Sequence, residues 1–159
     1  MRIANLCTRR VISAVPSMSL MEAADLMSRH QVGTLVVVAG TDDARRPVGM
    51  LTDRDIVVSV VARGRDPSQH TVAEVMTASI VVCRDDDILF DVVQVMRCRG
   101  VRRMPVVDAN GVLCGVISAD DLIAGISEQL VALVSTVTSS ETSKPRDLDD
   151  ADGVAVTRR

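Results

Sequence analysis

The chain has 159 residues, of which 47% are hydrophobic and 25% are charged, and its formal net charge is −3. This balance indicates a globular protein of one domain, or of two small domains that share a core, and excludes an intrinsically disordered chain. The acidic charge and the single aromatic residue, Phe90, argue against nucleic-acid partners, and no uninterrupted apolar run reaches the roughly 18 residues of a membrane span. We expect a cytoplasmic protein, because the N-terminal segment lacks a signal-peptide core.

The first copy of a repeated pattern begins with a short apolar strand, predicted over residues 10–15. An amphipathic helix follows, because apolar side chains recur at the helical spacing i, i+3, i+4 and i+7. These side chains are Leu20, Ala23, Ala24 and Met27. Two strands, residues 33–39 and 47–52, form a hairpin around a polar loop, and a last helix starts at Asp53. The order of the elements is β-α-β-β-α.

The second copy has the same order of elements. A strand over residues 79–83 precedes a helix whose apolar face carries Leu89, Val92, Val93 and Met96. The hairpin strands, 102–108 and 112–118, are joined by Ala109-Asn110-Gly111, an Asn-Gly turn signal, and another helix follows. Residues 71–74, "TVAE", form a capping-box pattern that predicts a short helix ahead of this copy.

Direct alignment of the two copies indicates an internal repeat. Residues 3–8 match residues 72–77 at an offset of 69 (72 − 3), and the same offset aligns 20–32 with 89–101. The offset falls to 66 after the loop of the first hairpin, because this loop has three more residues than its counterpart in the second copy (69 − 66). Neither copy buries enough surface alone, so the two are expected to share a core. The predicted boundaries are residues 1–66 for the first repeat, 67–134 for the second and 135–159 for a disordered polar tail.

One motif closes the hairpin of each repeat: "GMLTDRD" over residues 49–55 and "GVISADD" over residues 115–121. The hydroxyl of Thr52 or Ser118, with the carboxylate three residues later, is typical of a helix N-cap, and this structural role alone is one interpretation. The other interpretation is a binding site. A helix N-terminus suits an anion, and a fixed carboxylate can accept two hydrogen bonds from the vicinal diol of a ribose.

The cysteines and histidines show no local metal-binding spacing. They are Cys7, Cys83, Cys98, Cys114, His30 and His70. We predict no metal site, and thiols that are buried or half-buried in a reducing compartment; a redox or metal role assembled from distant positions is the alternative. No nucleophile and base stand at a recognisable local spacing, so the chain is predicted not to be an enzyme.

Paired β-α-β-β-α copies that each carry G-h-h-[ST]-x-x-D resemble a CBS-domain pair, the Bateman module. The resemblance covers about residues 3–130, is close over residues 102–122, and departs at Val36, where the family often has proline. The chain resembles the small stand-alone bacterial members. The resemblance implies an α/β fold in which tandem repeats pack as a pseudo-twofold pair. It also implies no required cofactor and an adenosyl ligand such as AMP, ADP, ATP or an S-adenosylmethionine-like molecule.

The resemblance further implies two ligand clefts between the repeats. In each cleft, the [ST]-x-x-D corner of one repeat holds ribose or phosphate, and the base rests on the first and second strands of the other repeat. For cleft one the implied residues are Thr52, Asp55, Ile80, Val81, Val101 and Arg102. For cleft two they are Ser118, Asp121, Val11, Ile12, Val32 and Gly33.

The two clefts differ in their expected charge. Arg102 and Arg103 stand where the first repeat has Gly33 and Thr34, and guanidinium groups suit phosphate oxygens. A solvated strand edge is the other interpretation of these two arginines. If they bind phosphate, cleft one prefers the phosphorylated ligand.

The leading functional prediction is a regulatory sensor that binds an adenine nucleotide and signals to an unknown effector protein. The alternative is a dimerisation scaffold with vestigial clefts. The wide apolar face of the last helix predicts a homodimer, since members of the family that the chain resembles commonly pair through such helices. Neither nucleic acid nor a membrane is an expected partner.

Overall fold

The computed structural model describes residues 1–41 and 44–141, apart from the side chains of 139–141. The chain divides into two compact units, Met1–Gly125 and Ile126–Arg159, and the first contains both β-sheets. The strands are β1 (Ser13–Ala14), β2 (Thr34–Ala39), β3 (Arg46–Thr52), β4 (Cys83–Arg84), β5 (Arg103–Val107) and β6 (Leu113–Ser118). The α-helices are α1 (Leu20–His30), α2 (Asp53–Ser59), α3 (Val72–Val75), α4 (Leu89–Arg99) and α5 (Ala119–Glu141).

Each repeat builds one three-stranded sheet, ordered β1-β2-β3 in the first and β4-β5-β6 in the second. The first pair of strands is parallel and the second pair is antiparallel in both sheets. The register shifts at equivalent places, between Val37 and Val38 and between Val106 and Val107. The predicted α/β class and the tandem β-α-β-β-α order are therefore confirmed.

The first strand of each repeat is much shorter than the sequence predicts. Strand β1 holds two residues of the predicted 10–15 segment, and β4 overlaps the predicted 79–83 segment only at Cys83. The reason is that each segment changes partner along its length. Thr8 pairs with Val116 of the second repeat, and Thr77 pairs with Met50 of the first, before the chain joins its own sheet. The residues between these pairings belong to no strand, and each stretch contains a tight turn, in which the Val11 N–H donates to Arg9 O and the Ile80 N–H donates to Ala78 O.

The segment that leads into each repeat packs against the other repeat. The single helical turn Ile3–Asn5 lies against the second repeat, where the Ile3 N–H donates to Asp87 O. Helix α3 lies against the first repeat, where the Val72 N–H donates to Met18 O. Ile3 and Val72 occupy equivalent positions and are both completely buried. This reciprocal exchange ties the two repeats into one unit.

Local capping explains where the helices begin. Ser19 and Glu22 form a capping box at α1, and Thr71 and Glu74 form the predicted one at α3. The predicted Asn-Gly turn is also present: the Asp108 carboxylate accepts from two backbone N–H groups of the loop, and Gly111 adopts a φ of 77°. These polar contacts determine where each element starts.

Apolar side chains from both sheets pack into a shared cluster. Val36 and Val38 of β2 pack with Leu113 of β6, and the partly buried Val11 and Val116 complete the cluster. The larger core of the first repeat lies between its sheet and helices, with buried Ala14, Leu20, Ala23, Met27, Leu35, Val37, Leu51, Ile56, Val60 and Val72. Burial of such side chains is worth roughly 1.5–3 kcal/mol each for the larger ones, which is the main stabilising contribution.

Helix α5 continues through residues 135–141, where the sequence predicts a disordered tail. Its hydroxyl side chains donate to carbonyls one turn back, as Ser135 Oγ does to Val131 O and Thr138 Oγ1 to Val134 O. Serine and threonine are thereby accommodated in the helix, which the polar composition does not reveal. The rest of the predicted tail, 142–159, lies outside the described residues.

By length and composition alone, residues Ala119–Thr138 of α5 could cross a membrane. That match is weak evidence, because core helices of soluble proteins pass the same test. The sequence interrupts this stretch with Asp120, Asp121 and Glu128, which is why no uninterrupted apolar run is visible there. The expected lack of a membrane partner stays a prediction.

Candidate functional site

Both G-h-h-[ST]-x-x-D corners form complete capping boxes. At α2, Asp55 Oδ2 accepts from the Thr52 backbone N–H at 2.8 Å and from Thr52 Oγ1 at 2.7 Å. At α5, Asp121 Oδ2 accepts from the Ser118 N–H at 2.8 Å and from Ser118 Oγ at 2.6 Å. Each hydroxyl in turn accepts from the aspartate N–H, at 3.1 and 3.2 Å. The structural interpretation of the motif is confirmed for both copies.

Capping does not use the whole carboxylate. Within the described residues, the hydrogen bonds that the Asp55 and Asp121 carboxylates accept all end on Oδ2. A carboxylate has about four acceptor sites, so Oδ1 of each keeps its capacity to accept from a ligand. The cap also fixes the orientation of the carboxylate, because two donors hold one oxygen in place. Capping and ligand binding are therefore compatible at the same residue.

Cleft two is a cavity of about 300 Å³ between the repeats. All six residues assigned to it from the sequence line this one cavity: Val11, Ile12, Val32, Gly33, Ser118 and Asp121. Its apolar wall comes from the segment that precedes β1 and the turn that precedes β2, and its polar corner comes from the N-terminus of α5. The structure thus brings the predicted set together around one cavity.

Cleft one is a cavity of about 220 Å³ on the other side of the pair. Five of its six assigned residues line it: Thr52, Ile80, Val81, Val101 and Arg102. The sixth, Asp55, does not line this cavity. Its carboxylate accepts a hydrogen bond from Thr52, which does line it. Asp121 lines its own cleft directly, so the two aspartates are not equivalently placed.

The arginines are distributed differently from the sequence expectation. Arg102 lines cleft one, but its side chain is 83% exposed and its Nη2 lies 3.9 Å from Asp120 Oδ1. Arg103 lines both clefts, and a further arginine, Arg10, lines cleft two. Sequence reasoning missed Arg10. The repeat offset pairs Arg10 with Ser79, and this substitution is the signal that could have found it.

Two glycines permit the close approach that shapes the clefts. A methyl group added at Gly115 would lie 2.8 Å from Cys7 Sγ and 3.3 Å from Thr8 O. A methyl group added at Gly49 would lie 2.5 Å from Met76 Sδ and 3.2 Å from Thr77 O. Gly115 therefore lets the segment with Cys7 and Thr8 cross the hairpin of the second repeat beside cleft two. Gly49 lets the segment with Met76 and Thr77 cross the hairpin of the first repeat beside cleft one.

Three thiols, those of Cys7, Cys83 and Cys114, lie in the second sheet or beside it, whereas Cys98 on α4 is exposed, so the prediction of buried or half-buried thiols is wrong for Cys98. Burial raises the pKa of the Cys83 thiol to about 12, and burial also raises the pKa values of Cys7 and Cys114. A thiol with a raised pKa is a poor nucleophile and metal ligand at neutral pH. Among the described residues, no group of three or more His, Cys, Asp or Glu side chains is placed to hold a metal ion.

Comparison with known proteins gives one family. The CBS-domain family model matches residues 3–62 and 72–128. The CBS domain-containing protein YhcV of Bacillus subtilis is 39% identical over 115 residues, which are 72% of this chain and 78% of that protein. An uncharacterized protein of Methanopyrus kandleri is 30% identical over 132 residues, 83% of this chain but only 65% of the relative's own length.

Solved structures give the same result. A putative signal-transduction protein with CBS domains from Burkholderia ambifaria superposes with a TM-score of 0.69 and 26% identity, covering 79% of this chain and 93% of that one. The CBS domain pair of the protein MJ0100, solved with 5′-methylthioadenosine and S-adenosyl-L-methionine, has a TM-score of 0.68 at 23% identity, covering 79% and 99%. The second likeness is one of fold.

Proposed function

The chain belongs to the CBS-domain family, and from this premise we propose that it is a regulatory module that binds an adenine nucleotide between its two repeats. CBS-domain proteins that stand alone are generally regulatory rather than enzymes. The observation that carries the proposal is the pairing, in each cleft, of a helix-capping corner from one repeat with apolar side chains from the other.

The cleft walls match the parts of an adenosine. The Oδ1 atom of Asp121 can accept from a ribose hydroxyl, and the positive end of the α5 dipole favours an anion at this corner. The base would rest between aliphatic side chains such as Ile12 and Val32, because neither cleft contains an aromatic residue. In MJ0100, a protein of the same fold, the CBS pair holds two adenosyl compounds.

Phosphate-bearing ligands fit these clefts better than a cationic sulfonium ligand does. Arg10 and Arg103 line cleft two, and Arg102 and Arg103 line cleft one. Guanidinium groups attract phosphate oxygens and repel a positive sulfonium centre. We therefore rank AMP, ADP and ATP above S-adenosylmethionine. To signal, the nucleotide must bind two conformations of the module unequally and so bias its contact with an effector protein.

Isothermal titration tests the proposal. The wild-type protein is titrated with AMP, ADP, ATP, adenosine and S-adenosylmethionine, and with GDP as the control for the base. We expect micromolar binding of the adenine nucleotides and at least tenfold weaker binding of GDP. A nucleotide carried through purification would stand out near 260 nm, because the sequence has no Trp or Tyr. Failure of every adenosyl compound to bind or to raise the melting temperature contradicts the proposal.

The scaffold alternative rests on exposed apolar side chains of the helices. A groove of about 560 Å³ runs between α1 and α2, lined by residues that include Met27, Ile56 and Val57. Val57 and Phe90 are 53% and 70% exposed. We propose that a second copy of the chain covers these helices in a homodimer, with or without nucleotide. Light scattering tests it: Val57→Glu should give monomers, and a monomeric wild type at micromolar concentration contradicts it.

A further inference from the structure

Two residues at equivalent positions of the repeats touch each other. Thr34 is the first residue of β2, and Arg103 is the first residue of β5. The Nη1 group of Arg103 donates to Thr34 Oγ1 at 3.0 Å. In a twofold arrangement, a residue that contacts its own counterpart lies at the axis. The Thr34–Arg103 pair therefore marks the pseudo-twofold axis between the repeats.

The same two residues belong to both clefts. Among all the residues that line the clefts, Thr34 and Arg103 alone line cleft one and cleft two; every other lining residue belongs to a single cleft. Arg10 is confined to cleft two, and Arg102 is confined to cleft one. A guanidinium at the axis can reach a ligand on either side, whereas Arg10 and Arg102 each line one cleft.

The charge of Arg103 is not neutralised by the protein. Its hydrogen bond runs to the neutral Thr34 hydroxyl, and within the described residues no carboxylate lies within 4.0 Å of it. Arg102 differs, because it faces Asp120 at 3.9 Å. A guanidinium has five N–H donors in a planar fork, so most of the Arg103 donors remain for phosphate oxygens.

We infer that Arg103 is a single phosphate-binding group shared by the two clefts, so that ligands carrying phosphate compete for it. The inference rests on the proposed function and adds how the two clefts influence each other. The first nucleotide to bind takes the guanidinium. The second finds its charge already neutralised and meets the phosphate charge of the first across the axis. Its affinity is therefore lower, and the module responds over a wider range of nucleotide concentration.

Threonine at position 34 suits this arrangement. A second arginine there would place two like charges in contact at the axis, whereas the threonine oxygen accepts a hydrogen bond and holds the guanidinium between the clefts. An uncharged ligand such as adenosine has no phosphate that could bind the Arg103 guanidinium. It should bind the two clefts independently, so phosphate is the part of the ligand that couples them.

The test uses full-length protein, with ADP as the charged probe and adenosine as the uncharged one. One cleft at a time is weakened, cleft one with Asp55→Asn and cleft two with Asp121→Asn, and the tighter cleft that dominates the ADP titration in each background is taken as the isolated cleft. In each background we compare Arg103→Thr with two matched controls, Arg10→Ala and Arg102→Ala. A charged hydrogen bond to phosphate at an exposed site is worth about tenfold in affinity.

We expect Arg103→Thr to weaken ADP about tenfold in both backgrounds, Arg10→Ala to weaken it only in cleft two, and Arg102→Ala only in cleft one. In the wild type the second ADP should bind several-fold more weakly than ADP binds the isolated cleft, and adenosine should show no such difference. Circular dichroism and the melting temperature check that each variant is folded, and Arg103→Lys should restore part of the ADP affinity.

Two results separate this inference from the function on which it rests. If Arg103→Thr weakens ADP in one cleft only, or if both ADP molecules bind the wild type as they bind the isolated clefts, Arg103 is not shared and the inference is wrong, while nucleotide binding stands. If neither ADP nor adenosine binds the wild type, the proposed function itself fails and the inference fails with it.

Discussion

The two clefts share their corners and differ in their walls. Both aspartates cap a helix with nearly identical hydrogen bonds, because each repeat needs a helix start after its hairpin. Nothing in the fold requires the wall residues to match, and they do not: cleft two has Arg10 where cleft one has Ser79. Structural demands thus preserve symmetry at the corner, and the freedom of the wall lets one cleft acquire a different ligand preference from the other.

The sheets beneath the clefts differ in a similar way. The second sheet and the segment crossing it contain Cys83, Cys114 and Cys7. The repeat offsets place Ala14, Val48 and Met76 at the equivalent positions of the other half. The packing role is the same on both sides, but at these three positions only the second sheet and its crossing segment carry an ionisable side chain. Chemical properties that change with pH should therefore concentrate in the second sheet.

The largest expected effect is the loss of ligand from one cleft at a time. Asp121→Asn should weaken nucleotide binding in cleft two by roughly ten- to a hundredfold, because a charged acceptor for a ribose hydroxyl is removed. Asp55→Asn should cost cleft one about tenfold, since Asp55 does not itself line that cavity. Isothermal titration with ADP measures both effects.

Asparagine keeps an oxygen for the capping hydrogen bonds, so the asparagine variants should unfold within about 0.5 kcal/mol of the wild type. Asp55→Ala and Asp121→Ala are the matched variants that lose the cap, and each should cost about 0.5–2 kcal/mol of stability. Unchanged nucleotide affinity in both asparagine variants would mean that Asp55 and Asp121 only cap their helices, and it would favour the scaffold alternative.

The next effect compares the two glycines that admit the crossing segments. Gly115→Ala should lower the free energy of unfolding by about 1–3 kcal/mol, because the added methyl group meets Cys7 Sγ at 2.8 Å. Gly49→Ala should cost less, because the flexible Met76 side chain can move away. Urea denaturation measures both variants. Adding Cys7→Ala should recover part of the loss at Gly115 and none at Gly49, and equal costs without recovery would contradict this account.

A pH effect of up to about 2 kcal/mol should distinguish the two sheets. Burial raises the pKa of Cys83 to about 12 from its ordinary value of 9.0, so the folded protein holds this proton more tightly than the unfolded chain does. The stabilisation is therefore complete below pH 9 and is lost as the pH rises from 9 toward 12. Urea denaturation at pH 8 and pH 10.5 measures the loss.

Cys83→Ala, which introduces the residue found at the equivalent Ala14, is the control for the pH effect. It should be less stable than the wild type at pH 8 and should lose much less stability on going to pH 10.5. If the variant and the wild type lose equal stability between pH 8 and pH 10.5, a group other than Cys83 causes the alkaline loss. The second sheet then has no special sensitivity to pH.

The fold could be predicted from the sequence where the signal is local. The helix periodicity of α1 and α4, the capping box before α3 and the Asn-Gly turn each depend on neighbouring residues, and all are present. The first strands were overestimated, because their shortening depends on Thr8 and Thr77 pairing with the opposite repeat. No pattern within residues 10–15 or 79–83 encodes that distant partner.

The candidate site shows the same division between local and distant information. The motif and the repeat offset located the corners and apolar walls, and the residues assigned to cleft two line one cavity. The position of Arg103 between the clefts was missed, because it depends on its contact with Thr34 across the pair. Arg10 was missed although its mismatch with Ser79 is visible in the alignment, since only the second-strand positions were compared.

The smallest expected effect is that of removing residues 142–159. This segment is rich in Asp and Arg and has few large apolar side chains, so its loss should remove little buried surface. A chain ending at Glu141 should melt within a degree or two of the full chain and bind ADP in both clefts unchanged. Differential scanning calorimetry and the same ADP titration measure this.

The comparison of the clefts makes this truncation informative. The segment contains eight charged residues, which are one Lys, three Arg and four Asp. A charged chain lying over one cleft would change ADP affinity there and not in the other. Equal ADP binding by the full and shortened chains, in both the Asp55→Asn and Asp121→Asn backgrounds, means that the asymmetry resides in the cleft walls. A drop confined to one cleft would assign part of that asymmetry to the removed residues rather than to the difference between Arg10 and Ser79 in the cleft walls.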